Sequence, residues 1–209
     1  VTIAGRTRLG PRNRVFPMAV IGAADPDQPD GEAVCELGPA NTIREHVTVY
    51  GGVESPTRVG SDNLIMIGSQ LGPGCTVGDH GIFANYTQVG PRAVLEDYVR
   101  SAGFSLVEAD VRVGAYTFTA GYAGVDQDAP PFAIVQGFPF RVRGVNSHNL
   151  RQCGFDDADM RARKAAFRDL FNGASREPEP ETLRRLAAQD DLNPHVRRLV
   201  EVLGGGSDS

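Results

Sequence analysis

An aliphatic residue recurs at every sixth position over long stretches of this chain. The run reads Val59, Ile65, Leu71, Val77, Phe83, Val89, Leu95, then Val107, Val113 and Val125, with Ser101 and Thr119 in the intervening places. Upstream the same beat gives Ile3, Leu9, Val15, Ile21, and later Leu37, Ile43, Val49. Many of these residues precede a glycine, as at Leu9-Gly10, Leu37-Gly38, Val59-Gly60, Val77-Gly78, Val89-Gly90 and Val113-Gly114. An amphipathic helix repeats every ~3.6 residues and a half-exposed strand every two. A period of six matches neither. It is the pattern of a hexapeptide β-helix, in which each short strand turns one corner and points an aliphatic residue into a narrow core. Three hexapeptides close one triangular coil, so residues eighteen apart should stack at the strand spacing of about 4.8 Å.

The composition suits such a thin core: no tryptophan, 7% aromatic residues and 25 glycines for tight corners. A net charge of −5 offers no basic surface for nucleic acid. No run of about 18 apolar residues exists and the start of the chain lacks a signal-peptide stretch, so no integral membrane association and a cytoplasmic location are expected. Val1 already falls within the repeat, so the sequence reads as entering a shaft part-way along, or as starting after removal of something. Cys35, Cys75 and Cys153 are odd in number and far apart, which reads as reduced thiols, with Cys75 at an inward core position.

Two segments interrupt the beat: residues 23–36, acidic and turn-rich, and residues 50–58, both expected to project from the shaft as loops. Residues 1–145 therefore read as a β-helix domain. From 146 to 203, Met160, Ala165, Phe167, Leu170 and Phe171 recur at helical spacing, Asp156 or Asp157 can cap a helix, and LRRLAAQ and HVRRLVEVL give two more helical segments. Residues 204–209 read as a flexible tail. The expected fold is mainly β, a parallel β-helix with a C-terminal α-helical extension. Its open edges and flat faces predict shafts packed side by side in a closed assembly, a homotrimer.

Specific motifs sharpen this picture. The stretches NTIREHVTVYGG, TRVGSDNLIMIGSQLGPGCTVGDHGIFANYTQVG, VDQDAPPFAIVQG and GVNSHNLRQCGF resemble the UDP-N-acetylglucosamine acyltransferases that open lipid A biosynthesis, in the family's order and spacing. The likeness runs from the first residue to about residue 170. It implies a left-handed coil, a homotrimer, and clefts between subunits that hold acyl carrier protein, its acyl chain and a UDP-sugar. It also implies that the first few coils of the family are missing from this chain.

Acyl transfer from a thioester to a hydroxyl needs a base for the hydroxyl proton and a donor for the tetrahedral oxyanion. By the resemblance, the family's catalytic histidine falls on Pro73, the preceding histidine on Gln70, and two further histidines on Arg92 and Glu108. The glycine whose amide serves the oxyanion falls on Pro91, which has no N–H. Of the sugar-binding positions, Asp27 and Asn146 are kept, a glutamate becomes His148, and the paired arginines become Gln152 and Cys153, weakening diphosphate recognition. Gly121, on the acyl side, is kept, and Phe138 and Pro139 make that end more apolar. The candidate catalytic residues are thus Glu108 and His148, and the candidate substrate-binding residues are Asp27, Gln70, Arg92, Gly121 and Asn146. Glu108 has a simpler reading as an ion-pair partner of Arg92 across stacked coils. Gln70 and Gln88, eighteen apart, suit a glutamine ladder as well as a ligand. His46 and His80 point outward from their corners, His195 reads as a surface residue, and the histidine spacing predicts no metal site.

The expected function is acyl transfer to an acceptor other than UDP-N-acetylglucosamine in a remodelled intersubunit cleft. The donor would be an acyl-carrier-protein or CoA thioester, with no resident cofactor, and the acceptor a small molecule. The alternatives are a non-catalytic homologue that binds a partner, and an enzyme with different acid–base chemistry in the same cleft.

Overall fold

The computed structural model describes residues 1–25, 27–28, 31–171 and 175–205. It is a left-handed parallel β-helix followed by short helices. Three parallel faces run the length of the shaft. Face A contains Thr2–Ile3, Val20–Ala23, Thr48–Tyr50, Gln70–Leu71, Gln88–Val89, Leu106–Val107 and Gly124–Val125. Face B runs from Arg6–Leu9 to Arg112–Val113, and face C from Arg14–Val15 to Ala133–Gln136. The register is that of an eighteen-residue coil: Gln70 lies opposite Gln88, Val77 opposite Leu95, and Phe83 opposite Ser101.

The sixth-residue series forms the core, and Ile21, Ile43, Val49, Ile65, Leu71 and Phe83 are fully buried. The glycine that follows so many of these residues is there for space. A Cβ on Gly90 would stand 2.6 Å from the Ala109 backbone nitrogen, because the next coil's corner passes directly over it. Polar rungs inside the shaft are paired. Asn63 accepts from the Gly81 N–H at 2.6 Å and donates to the Gly78 carbonyl at 2.9 Å, while its own N–H donates to Asn41 Oδ1. These two amides stitch coil to coil, whereas Asn85 Oδ1 is buried with no hydrogen-bond partner among the described residues.

The corners take left-handed backbone at residues that are mostly not glycine. The B/C corner stacks Asp62, His80, Tyr98, Tyr116 and Phe132, and the C/A corner stacks Gly68, Tyr86, Phe104 and Tyr122. Their side chains form columns: His80 on Tyr98 with ring centroids 4.7 Å apart, Tyr98 on Tyr116 at 4.8 Å, Tyr86 on Phe104 at 5.1 Å and Phe104 on Tyr122 at 5.3 Å.

Both interruptions are shorter than the sequence indicates. Strands Val20–Ala23 and Val34–Leu37 trim the first loop to residues 24–33, because Cys35 and Leu37 alternate into the core. Strands Thr48–Tyr50 and Thr57–Val59 trim the second to 51–56. The expected tail at 204–209 lies, beyond Gly205, outside the described residues.

After face C the chain doubles back in an antiparallel strand, Arg141–Val145, and enters α1 (Ser147–Gln152), α2 (Asp157–Leu170), α3 (Pro180–Ala187) and α4 (Pro194–Leu203). Asp156 caps α2, accepting from the Asp159 N–H at 2.7 Å, and Glu179 and Asn193 cap α3 and α4 ahead of a proline. Met160, Phe167, Leu170, Val196 and Leu199 bury the inner faces. Arg163 of α2 is fully buried, its guanidinium carbon 4.7 Å from the centre of the Phe132 ring and 4.5 Å from that of Phe155. Among the described residues, no helix is long and apolar enough to cross a membrane.

Candidate active site at a corner of the shaft

The A/B corner carries Gly74, Arg92 and Asp110 on successive coils, all with left-handed backbone (φ 71°, 56° and 62°). Because each side chain leaves its corner in the same direction, Arg92 and Asp110 meet as two planar forks. Arg92 Nε donates to Asp110 Oδ1 at 2.6 Å and its Nη2 to Oδ2 at 2.7 Å. The two groups reinforce each other's charge: the Arg92 hydrogen bond holds the Asp110 carboxyl below the usual aspartate range, and Asp110 raises Arg92. This replaces the expected pairing of Arg92 with Glu108. Glu108 stands two residues before the corner, exposed at the end of its face-A strand, and does not share the exit direction of Arg92.

Beside this corner lies a small, open cleft bounded by Pro73, Gly74 and Arg92 and by the two loops through Asp25, Gln28, Glu54 and Ser55. The first loop therefore presents Asp25 and Gln28 to the cleft. Asp27 is exposed and donates its backbone N–H to Asp25 Oδ1 at 2.9 Å, so the loop aspartate facing the cleft is its neighbour. Gln70 stands outward on face A, half-buried, one coil from Gln88.

The remaining candidates occupy other corners. Gly121 is exposed at the C/A corner, just before Tyr122. A Cβ there would meet the Gly103 carbonyl at 3.5 Å and the Ala102 Cβ at 3.9 Å, both ordinary contacts, so backbone crowding does not demand the glycine. Asn146 is buried under the B/C corner. Its amide donates to the Tyr116 carbonyl at 2.8 Å and accepts from the Asn149 N–H as the cap of α1. That side chain anchors the helix to the shaft, and both of its polar ends are engaged. His148 is exposed on α1, whose Asn149 also donates to the Tyr98 carbonyl at 3.0 Å. Glu108 and His148 therefore belong to different corners, and one chain does not bring them together.

Sequence reasoning missed three features. Asp110 was signalled by its spacing of eighteen from Arg92. Asp25 and Glu54 carried no periodic signal, since they sit in loops. Arg100, on face C, reaches α1 and donates from Nη1 to Gln152 Oε1 at 2.7 Å, placing a cation beside an open groove floored by Leu64 and Ile82. His195 is not a simple surface residue: it packs edge-on against Phe155 at 5.2 Å and lies 3.6 Å from Asp159. Burial, with help from Arg163, lowers its pKa.

A family profile described as UDP-N-acetylglucosamine O-acyltransferase, domain 2, matches residues 128–208. Among curated proteins, an acyl-[acyl-carrier-protein]–UDP-N-acetylglucosamine O-acyltransferase from Synechocystis sp. is 33% identical over 201 residues, covering 94% of this chain and 72% of the relative. One of the same description from Verminephrobacter eiseniae is 35% identical over 174 residues, covering 81% of this chain and 66% of the relative. Among solved structures, the Arabidopsis UDP-N-acetylglucosamine acyltransferase superposes with a TM-score of 0.87 at 30% identity, covering 95% of this chain and 72% of that one. Over nearly its whole length, then, coil for coil, the chain belongs to the UDP-N-acetylglucosamine acyltransferase family.

Proposed function

We propose that the protein transfers an acyl group from a carrier thioester to a small acceptor other than UDP-N-acetylglucosamine, in a cleft between copies of a homotrimer. The donor is an acyl-carrier-protein or CoA thioester. The observation that carries this reading is an exposed apolar strip that climbs the C/A corner past Gly121. Tyr86, Phe104 and Tyr122 are 47%, 52% and 75% exposed, with Leu106 and Phe138 beside them. An acyl chain lying along this strip, covered by a neighbouring copy, would remove that apolar surface from water. The relatives named above act on UDP-N-acetylglucosamine. Here the positions that resemble their base and oxyanion donor are Pro73 and Pro91, so that chemistry needs other groups.

Glu108 is the candidate base. Its carboxylate would take the proton from the acceptor's hydroxyl or amine as the lone pair attacks the thioester carbonyl carbon. Collapse of the tetrahedral intermediate breaks the C–S bond, and the thiolate leaves and takes up the proton. His148 would reach the same cleft only from a neighbouring copy, since it stands at another corner of its own chain. The cytoplasm, where carrier thioesters are made, is the fitting location. The test is turnover of acyl-carrier-protein and acyl-CoA thioesters against a panel of hydroxy and amino acceptors. Thiol release that falls about a hundredfold or more in Glu108→Ala supports the reading. No turnover with any pair sinks it.

A second reading, a non-catalytic homologue that binds a partner, is favoured by one observation: at the A/B corner the Gly74 and Arg92 N–H groups are already engaged, by Thr57 Oγ1 and the Pro73 carbonyl. Retained binding of acyl carrier protein without turnover would select it.

A further inference from the structure

The A/B corner offers an anion few donors from its own turns. Gly74 donates its N–H to Thr57 Oγ1 at 2.8 Å, Arg92 to the Pro73 carbonyl at 3.0 Å, and Cys75 and Ala93 to the carbonyls of Gly72 and Gly90. Pro73 and Pro91 have no N–H to offer. Arg92 is the one cation among the described residues lining the cleft, and the Nε–Nη2 edge of its fork is held by the two carboxylate oxygens of Asp110, which also neutralise its charge. Asp25 and Glu54 face the same guanidinium, so any incoming dianion meets two further carboxylates.

We infer that Asp110 is a specificity-determining residue: by occupying Arg92 it closes the corner cleft to phosphorylated ligands and restricts the acceptor to molecules without a phosphate there. This deepens the proposed acyl transfer by naming what its acceptor lacks, and it rests on that reading only for the word acceptor. An exposed ion pair is ordinarily weak and exchanges partners freely. This one differs in being bidentate and built on two stacked left-handed corners, so the forks meet without searching rotamers. Displacing Asp110 would leave a carboxylate beside the incoming phosphate, and that repulsion is what discriminates.

The experiment is calorimetric titration of the full chain with inorganic pyrophosphate and, separately, UDP. Asparagine suits left-handed backbone, so Asp110→Asn keeps the corner while releasing Arg92; Asp110→Ser serves if the first variant is poorly folded. The expected result is little binding by the wild type and an affinity gain of at least about tenfold in Asp110→Asn, about 1.4 kcal/mol. The gain should disappear in the double variant Asp110→Asn, Arg92→Gln. Three results overturn the inference: no gain in either Asp110 variant, a gain that survives Arg92→Gln, or tight wild-type binding that Arg92→Gln abolishes. The readout needs no turnover, so an absent acyltransferase activity leaves it intact.

Discussion

Prolines at 73 and 91 fit the shaft, because the corner bonds use their carbonyls and need no N–H from them. The stack at this corner runs through carbonyls of one coil and N–H groups of the next: Arg92 donates to the Pro73 carbonyl and Asp110 to the Pro91 carbonyl at 2.9 Å. Proline keeps the carbonyl and removes only the donor, so these two corner bonds stand while positions 73 and 91 have no N–H to offer a ligand. Cysteines divide in a similar way. Cys35 and Cys75 are fully buried, and burial pushes both thiols up to about 12. Cys153 is only half-buried, at the end of α1. Because the thiolate is the reactive form, native protein treated with iodoacetamide at pH 8 should be alkylated at Cys153 first. Intact-mass measurement should then show up to one adduct, rising to three in denaturant; rapid labelling of Cys75 in native protein would contradict its placement.

Among the elements, α2 poses the sharpest energetic question. Arg163 is buried between two rings, and among the described residues no hydrogen-bond acceptor reaches Nε, Nη1 or Nη2. Loss of solvent lowers its pKa even though Asp159 and Asp156 act in the other direction. Cation–π attraction supplies a part of the compensation, of order 2 kcal/mol when desolvated. Replacing a buried, poorly paired charge by an apolar side chain of similar length is often neutral or stabilising. Arg163→Met should therefore hold or raise the thermal midpoint. Arg163→Ala should lower stability by about 3 kcal/mol through the cavity left between Phe132 and Phe155. Equal losses in both variants, followed by denaturant unfolding, would mean the charge itself is needed. The strands were legible in the sequence because one inward residue per six is a strong signal. One cap was also legible, with Asp156 or Asp157 ahead of a run of helical spacing; Glu179 and Asn193 were not read as caps. Arg163 was not, because an arginine on a helix ordinarily reads as solvated, and nothing along the chain announces the two rings that enclose it. Asp25 and Glu54 escaped for another reason: loops carry no period from which facing partners can be counted.

For the molecule as a whole, the exposed rings of the C/A corner set the expectation for assembly. A monomer would leave Tyr86, Phe104, Tyr122, Leu106 and Phe138 as one contiguous apolar strip in water. Sedimentation equilibrium should give three times the mass of one chain, and Phe104→Lys should shift the population toward monomer. A wild-type monomer at micromolar concentration would remove the trimer and, with it, any meeting of Glu108 with His148. The register that places these columns has a further consequence for how such a chain changes over time. A substitution at a corner is judged by its neighbours one coil above and below, and hardly at all by those beside it in sequence. The B/C column grades from Asp62 through His80 and Tyr98 to Phe132, and the A/B column closes a cation with an acid. Each column is in effect a short vertical text, with its own grammar, written across a shaft whose horizontal lines stay fixed.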